Sequence, residues 1–472
     1  MLLSKQGEAS KRSLILAGGG MRVAYQAGVL LALEEGGLSF SHVDGTSGGT
    51  MNTSMLFSGN SPRQMCERWQ SLNLMDFSSL MPMSSYKNPL KLKAMADADG
   101  IVNKVFPHLG IDVEKIRNNN LADASFNLCN FSTKQAVSIS NAQVQLAHLV
   151  AGISLPIFMP SVKIEADDYT DAVWIKDANL WGAVKRGAEE LWLVWCIGNT
   201  HDYKDGSFNQ YVHMIEIAAN GGLLEEYDRI EELNQRILKG DSPFGQTKPI
   251  TLHVIKPEFP LPLDPDFFIG RIDAHELIAM GYRNTTDYLQ NKDSQGVSFD
   301  WQACAMKEPG ANLVCRHRIQ IISQNQALSI HLRLRMNLSQ MQNNSLSQSQ
   351  LSIPVFAQVT IADRVVNQPC AEGKLLLSHG KPGRIELAML VDKAAYKITI
   401  EYSKKSWISR LFFKFALCKM QIIKNSEIFD EDQFNLGLID YLKLKFQMQA
   451  GGMDGFFACR SLKNKFLKRL IN

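Results

Sequence analysis

Gly45-Thr46-Ser47-Gly48-Gly49 places a serine between glycines, at the point where an apolar run stops and a small-residue helix is predicted over residues 50–57. In a nucleophile elbow of the G-x-S-x-G type, glycines such as Gly45 and Gly49 let the strand and the helix approach closely. The serine hydroxyl is then lifted above the sheet. The pattern predicts Ser47 as a nucleophile; the alternative is a glycine-rich turn whose serine only caps the helix.

A second glycine cluster lies upstream of the elbow. Residues 13–17 predict a buried strand, Gly18-Gly19-Gly20-Met21-Arg22 follows, and residues 23–35 have the apolar spacing of a helix. Successive glycines leave backbone N–H groups uncovered at a helix N-terminus, which suits an oxyanion hole or a phosphate cradle. The run has neither G-x-G-x-x-G spacing nor the Lys-Ser/Thr ending of a P-loop. The sequence therefore favours an oxyanion hole made by Gly18, Gly19, Gly20 and Arg22.

Taken in order, these segments resemble the patatin-like phospholipases, whose members carry a G-G-G-x-R loop, a G-x-S-x-G elbow and an aspartate in a D-G-[GA] motif. The resemblance covers about residues 13–289, and Tyr169-Thr170-Asp171-Ala172-Val173 falls where Y-x-D-G-G is expected. It implies that Ser47 and Asp171 form a catalytic dyad. Because Ala172 and Val173 replace two small residues of the motif, Asp177 is kept as the alternative acid.

The resemblance implies a three-layer α/β domain with a mostly parallel sheet. It also implies a serine lipid acyl hydrolase of the phospholipase A or lysophospholipase type, acting on phospholipid or another lipid ester. A catalytically weak patatin-like scaffold that binds lipid or a partner is the alternative. A third possibility keeps the serine chemistry on a thioester or a soluble carboxyl ester.

A Ser-Asp-His triad with the same serine is a less favoured hypothesis. Any of His201, His213 or His253 could follow an acid in Ser…Asp…His order, but only two strand-like segments precede Ser47, fewer than in α/β-hydrolases. His42 and His148 are interpreted as helix or core histidines.

Composition limits the remaining possibilities. The 472 residues predict two or three domains, and the net charge of +3 indicates no nucleic-acid partner. The N-terminus has no signal-peptide pattern and no run is long enough for a spanning helix, so we expect a cytoplasmic protein, with peripheral membrane attachment as an option. The eight cysteines have no C-x-x-C spacing, so neither a zinc site nor a disulfide framework is expected. No ligand cluster in the sequence implies a metal or an organic cofactor.

The sequence changes character after about residue 300. Five alternating segments without intervening helices predict a smaller antiparallel β-sandwich-like domain, in which residues 337–350 form an exposed loop; the segments are 327–336, 355–361, 374–377, 384–390 and 396–402. We predict an acyl hydrolase domain over residues 1–300, the β domain over 310–425 and a basic amphipathic C-terminal segment over 426–472.

The basic charge is concentrated at the C-terminal end. Residues 403–472 contain 13 Lys/Arg and 6 Asp/Glu, and aromatic or apolar side chains stand beside cations in residues 406–415 and 462–470. Such mixtures favour an anionic membrane surface. A solvated tail, or a segment packed on the β domain, fits the pattern equally well.

Overall fold

The computed structural model describes residues 2–4, 11–77, 94–199, 205–264, 268, 272–307, 313–322, 329–337, 350–361, 368–370, 372–378, 381–391, 394–404, 414–437 and 449–450. The chain divides into two compact units, Met1–Glu308 and Pro309–Asn472. Several predicted features lie outside the described residues: His201, most of the loop 337–350, most of Trp407–Phe415, and residues 438–448 and 451–472 of the C-terminal segment.

The first unit is built on an eight-stranded mixed sheet. Its strands are β1 (Arg12–Leu16), β2 (His42–Thr46), β3 (Asp123–Asn130), β4 (Gln135–Ser140), β5 (Val162–Ile164), β6 (Asp167–Asp171), β7 (Glu190–Val194) and β8 (Thr251–Ile255). The order is β5-β6-β3-β2-β1-β7-β8, with β4 also on β3. The central run from β3 to β8 is parallel, and β4, β5 and β6 join it through antiparallel pairs. The predicted mostly parallel sheet is confirmed.

Helices surround this sheet. Those of the described residues are α1 (Ala24–Glu35), α2 (Gly48–Phe57), α3 (Pro62–Ser71), α4 (Phe106–Leu109), α5 (Val113–Asn118), α6 (Leu146–Gly152), α7 (Leu180–Lys185), α8 (Ser207–Ile237), α9 (Ala274–Asn291) and α10 (Trp301–Cys304). Helix α3 starts with a capping box between Ser61 and Gln64, and α9 starts where the Asp273 carboxylate accepts the N–H of Glu276. In the part of the chain that is described, none of these helices has the length and apolar character needed to cross a bilayer.

Helix α1 is buried from Ala24 to Leu33 and crosses α9 at glycine positions. A Cβ on Gly28 would overlap the carbonyl oxygen of Ile278, and a Cβ on Gly281 would overlap that of Tyr25. Two backbones can approach this closely only where no side chain separates them. The α1–α9 contact holds the helix that follows the glycine loop in a fixed position.

Gly28→Ala is expected to destabilise the first unit by about 1–3 kcal/mol, because the added methyl group must push α1 away from α9. Gly221→Ala is the matched control in α8: a Cβ there meets no atom within 4 Å. That substitution should stabilise by about 0.5–1 kcal/mol, since alanine restricts the unfolded chain. Thermal and urea unfolding of both variants measure the difference. Equal stability of the two would show that the crossing is not closely packed.

The second unit contains a separate antiparallel sheet. Its strands are β9 (Leu313–Ile322), β10 (Ser329–Asn337), β11 (Gln350–Ile361), β12 (Gln368–Cys370), β13 (Glu372–Ser378), β14 (Gly383–Val391), β15 (Ala394–Lys404), β16 (Lys414–Lys424), β17 (Glu427–Gly437) and β18 (Gln449–Ala450). The order is β17-β16-β15-β14-β13-β11-β10-β9-β18, with β12 on β11. Residues 350–354 of β11 pair with β13 and residues 355–361 pair with β10, so one strand serves both parts of the sheet.

All five predicted alternating segments fall on strands of this sheet, except that residues 327–328 lie outside the described residues. The alternation has the expected cause. In β13 and β14 every second residue is buried, as with Leu375, Leu377, Ile385 and Leu387. Strand β17 lies inside the range predicted as the C-terminal segment and pairs with β16 along its length. The sandwich arrangement and the domain limits remain predictions.

Candidate active site

Ser47 occupies the turn between β2 and α2 with φ 53° and ψ −128°, a backbone conformation that non-glycine residues rarely adopt. It is partly exposed, whereas residues 41–46 and 48–57 on either side are buried. Its side chain makes no capping hydrogen bond to α2, so the helix-cap alternative does not describe this serine. The turn has the backbone of a nucleophile elbow, with the hydroxyl free for another partner.

The glycines of the elbow are required by close packing. A Cβ on Gly49 would overlap the carbonyl oxygen of Leu16 in the neighbouring strand, and a Cβ on Gly45 would lie 2.5 Å from Thr53 Oγ1. A Cβ on Gly48 would lie 2.7 Å from the carbonyl oxygen of Gly20. The glycine loop and the elbow therefore pack directly on each other, which no larger residue at these positions would allow.

Strand β3 explains why Ser47 and Asp171 meet. Its Asn127 pairs with Thr46 at the end of β2, and its next residue, Leu128, pairs with Asp171 at the end of β6. Strand β2 runs parallel to β3 and β6 runs antiparallel to it, so the two strand ends converge from opposite directions. The residue after β2 and the last residue of β6 are thereby brought together.

Asp171 is a buried carboxyl group, 1% exposed, whose partners are defined on both sides. Its Oδ1 accepts the N–H of Val173 at 2.9 Å, and its own N–H donates to the Ser154 carbonyl at 3.0 Å. Burial raises its pKa to about 6, although hydrogen bonding to the Ser47 side chain and to the Val173 N–H lowers it. Its ionised form is thus stabilised by contacts that also orient it toward the serine.

Ala172 and Val173, which depart from the glycine-rich motif, are buried in a short 3₁₀ turn after Asp171. Neither residue has a positive φ. The turn needs no glycine, and Val173 still supplies the backbone N–H that holds the carboxylate.

The glycine loop has two residues in conformations that favour glycine: Gly19 has φ 151° and Gly20 has φ 57°. The Gly18 N–H donates to Asp177 Oδ2 at 2.9 Å. Within the described residues, the Gly19 and Gly20 N–H groups have no hydrogen-bond acceptor. Arg22 Nε donates to the Gly19 carbonyl at 2.9 Å, which places its guanidinium against the loop. Of the three predicted glycine donors, Gly18 is therefore already occupied.

Asp177, the alternative acid, is 0% exposed and touches the glycine loop through Gly18. Ser47 is among the groups that lower the pKa of Asp171, and it is not among those that act on the pKa of Asp177. Burial raises the pKa of Asp177 well above the ordinary range, and the neighbouring Asp171 raises it further, whereas the Gly18 N–H and Arg22 lower it. This difference supports Asp171 over Asp177 as the proposed partner of Ser47.

A polar network that the sequence did not single out lies beneath the elbow. Asp44 is 0% exposed and accepts hydrogen bonds from Asn127 Nδ2 at 2.5 Å and Asn179 Nδ2 at 3.1 Å. Asn127 also donates to Thr46 Oγ1 at 2.9 Å, and Asn179 caps α7. Burial raises the pKa of Asp44 to about 7. The network joins β2, β3 and the start of α7 next to the elbow. Its sequence signals were two polar residues inside apolar strands, Asp44 in β2 and Asn127 in β3.

Asp264 is a second residue that the sequence gave no reason to select. Its Oδ1 accepts the N–H of Met21 at 3.0 Å, and a Cβ on Gly20 would overlap its carboxyl group. Burial raises the pKa of Asp264, while Arg22 and the Met21 N–H lower it. The residue reaches the loop from 243 positions away, so no local pattern could reveal it.

The histidines have structural partners. His42 is buried between the hydroxyls of Ser13 and Ser125, at 3.2 and 2.9 Å, and burial lowers its pKa to about 3. His253 stacks on Trp192 with ring centroids 4.3 Å apart, and His213 pairs with Glu216. None of these contacts involves Ser47 or Asp171, which argues against a relay through the described histidines.

The described residues form two cavities and no metal-binding cluster. Over the described parts of the chain, no group of three or more His, Cys, Asp or Glu side chains is arranged to hold a metal ion. A cavity of about 670 Å³ opens at the end of β8 beside Lys256, and one of about 340 Å³ lies beside Asn127, Asn179 and Lys176. Neither is lined by Ser47 or Asp171.

Comparison with known proteins agrees with the resemblance seen in the sequence. Residues 14–183 match the family model described as patatin-like phospholipase, which confirms the recognition over that range. The matched residues include the glycine loop, the elbow, Asp171 and Asp177. No curated protein matches the chain. Among solved structures, the crystal structure of VipD from Legionella pneumophila is similar, with 12% identity, 61% of this chain and 70% of that chain covered, and a TM-score of 0.30.

Proposed function

We propose that the first unit is a serine lipid acyl hydrolase of the phospholipase A or lysophospholipase type. One observation carries the proposal: the register of β3 brings Ser47, held in a strained elbow, together with the buried carboxyl group of Asp171. Both residues lie inside the range that matches patatin-like phospholipases. A nucleophile and a base in contact are the minimum requirement for acyl transfer.

In the proposed first step, Ser47 Oγ attacks the ester carbonyl carbon while its proton passes to the Asp171 carboxylate. The oxyanion accepts hydrogen bonds from the Gly19 and Gly20 N–H groups, and the Arg22 charge lies against the same loop. When the tetrahedral intermediate collapses, Asp171 returns the proton to the leaving alcohol. The acyl group is then esterified to Ser47.

In the second step, water attacks the acyl-enzyme and Asp171 accepts its proton. Collapse of this intermediate releases the fatty acid and restores the Ser47 hydroxyl. A carboxylate whose pKa is raised to about 6 is a stronger base than an ordinary aspartate and is still ionised near neutral pH. Burial thus lets a single acid replace the His-Asp pair of a triad.

Apolar surroundings support a lipid as the substrate. Tyr211 packs edge-to-face on Phe158 and on Trp174, in the turn after Asp171, with ring centroids 5.4 and 5.5 Å away. Ile157 and Met95, joined by a hydrogen bond from the Met95 N–H to the Ile157 carbonyl, are 58% and 55% exposed. Ile157 lies three residues after Ser154, whose carbonyl accepts the Asp171 N–H, and exposed large apolar side chains are suited to contact with a fatty-acyl chain. A short-chain ester or thioester gains less from them.

Activity is expected to fall as the pH drops through about 6, because Asp171 must be ionised to accept the serine proton. The profile of kcat/KM for an uncharged ester should therefore show an acid limb near that pH. An enzyme whose catalytic carboxylate had the ordinary pKa would keep its activity down to about pH 4. A flat profile between about pH 4.5 and 7 would contradict the assignment of Asp171 as base.

The substrate class is tested by rates on three substrates: lysophospholipid, a soluble short-chain ester and a short-chain acyl thioester. We expect the largest kcat/KM for the lysophospholipid, because its chain adds apolar contacts. A lipid-like fluorophosphonate should also label wild type at Ser47 and leave Ser47→Ala unlabelled. A higher kcat/KM for the short ester would indicate an esterase that acts on water-soluble esters. No labelling and no turnover would favour the lipid-binding scaffold.

A further inference from the structure

Asp177 is a second buried carboxyl group next to the proposed dyad, and it has no role in the proposed reaction steps. Its Oδ2 accepts the Gly18 N–H at 2.9 Å, while its Oδ1 is buried with no hydrogen-bond partner in the described structure. A buried carboxylate with an unpaired oxygen is unfavourable, whereas a protonated carboxyl group avoids burying the charge.

The position of Asp177 is fixed by the absence of a side chain at Gly18. A Cβ on Gly18 would overlap Asp177 Oδ1 and would lie 2.8 Å from Ser47 Cβ. The carboxyl group and the nucleophile thus flank the same side of Gly18. Because Gly18 begins the glycine loop, its hydrogen bond to Asp177 sets where the following Gly19 and Gly20 N–H groups lie.

Three titratable groups face Asp177, each from a different element. Asp171, at the end of β6, raises the pKa of Asp177, and Arg22, beside the glycine loop, lowers it less than burial raises it. Cys196, after β7, is the third; burial raises its thiol pKa to about 12, so it is neutral. An ionised Asp177 would add negative charge beside the developing oxyanion and beside the base. A neutral one avoids both repulsions.

We propose that Asp177 is a positioning residue that works as a neutral carboxylic acid: it holds the glycine loop through Gly18 and leaves the negative charge of the two acids on Asp171. The proposal rests on the proposed hydrolase function. It differs from the role of alternative base, which requires Asp177 to be ionised and to touch Ser47.

Two variants separate the position from the charge. Asp177→Leu removes the acceptor for Gly18, and we expect kcat to fall about 10- to 100-fold with KM within about threefold, because a displaced oxyanion donor weakens mainly the transition state. Asp177→Asn keeps an acceptor and is permanently neutral. It should recover most of the activity that Asp177→Leu loses.

The pH profile reports the charge state, which a purely structural role would not affect. We expect the acid limb of Asp177→Asn to lie at the same pH as that of wild type. Wild type should lose activity at alkaline pH as Asp177 ionises, and Asp177→Asn should not. Thermal unfolding of each variant shows whether it is folded, and Asp177→Asn supplies the pH test even if Asp177→Leu is unstable.

Three results would overturn the proposal. Loss of activity by orders of magnitude in Asp177→Asn would make Asp177 the base. An acid limb shifted to lower pH in Asp177→Asn would show that Asp177 is ionised in wild type. Full activity of Asp177→Leu would remove any positioning role. Failure of the hydrolase function is distinguishable, because wild type would then match Ser47→Ala before any Asp177 variant is made.

Discussion

Ser47→Ala is expected to lower the rate of fatty-acid release by about 10⁴-fold or more, because removal of a nucleophile disables every step of the catalytic unit. The elbow stays in place without the hydroxyl, since the flanking glycines set its geometry. Thermal stability should therefore remain close to that of wild type. Initial rates on lysophospholipid measure the effect.

Ser54→Ala is the matched control for this substitution. Ser54 lies on α2, the helix that follows the elbow, and its buried hydroxyl has no hydrogen-bond partner in the described structure. Its removal should leave the rate near that of wild type. A similar loss in both variants would indicate that damage to α2, and not loss of the nucleophile, causes the effect.

Asp171→Asn is expected to lower kcat by about 10²- to 10⁴-fold, because the amide cannot accept the serine proton. Asparagine preserves the shape of the side chain and can still accept the Val173 N–H, so the turn after β6 should survive. The acid limb of the pH profile should disappear together with the activity. Reaction of Ser47 with a fluorophosphonate should slow in parallel, because that reaction also needs an activated hydroxyl.

Asp168→Asn on the same strand controls for the loss of a carboxylate from β6. Asp168 accepts a hydrogen bond from Ser161 at 3.2 Å in a more exposed setting. Its substitution should change kcat little. If Asp171→Asn stays active while Asp177→Asn does not, the roles of the two acids are exchanged.

The sequence predicted the elements of the site because their signals are local. Successive glycines, the glycine-flanked serine and the apolar runs around them lie within about forty residues, and each has a direct backbone meaning. The structure places β1, the glycine loop, α1, β2 and α2 in that order. The first strand and helix were located to within one residue.

The proposed choice of Asp171 over Asp177 depends on information that is not local. It follows from the register of β3, where adjacent residues pair with Thr46 and with Asp171. Local spacing places both acids in the same stretch of chain and does not state which one faces the serine. Asp264 and the Asp44 network were missed for the same reason, because their partners are distant in sequence.

In the antiparallel sheet, too, the strands with a local sequence signal were predicted and a strand without one was missed. Alternation identified strands whose second residues are buried, such as β14. Strand β17 was missed because Glu427, Asp430, Glu431 and Asp432 give it an acidic, weakly apolar sequence. It lies at the end of the strand order, and charged side chains at a sheet edge oppose pairing with other chains. Its composition reflects that position more than its secondary structure.

The most direct test of the account is fatty-acid release from vesicles of mixed phospholipid and lysophospholipid, measured for purified wild type beside Ser47→Ala. Wild type is expected to release fatty acid steadily, and Ser47→Ala is expected to give a rate indistinguishable from that of vesicles without protein. Equal rates for the two proteins would contradict the proposal that Ser47 is the nucleophile of a lipid acyl hydrolase.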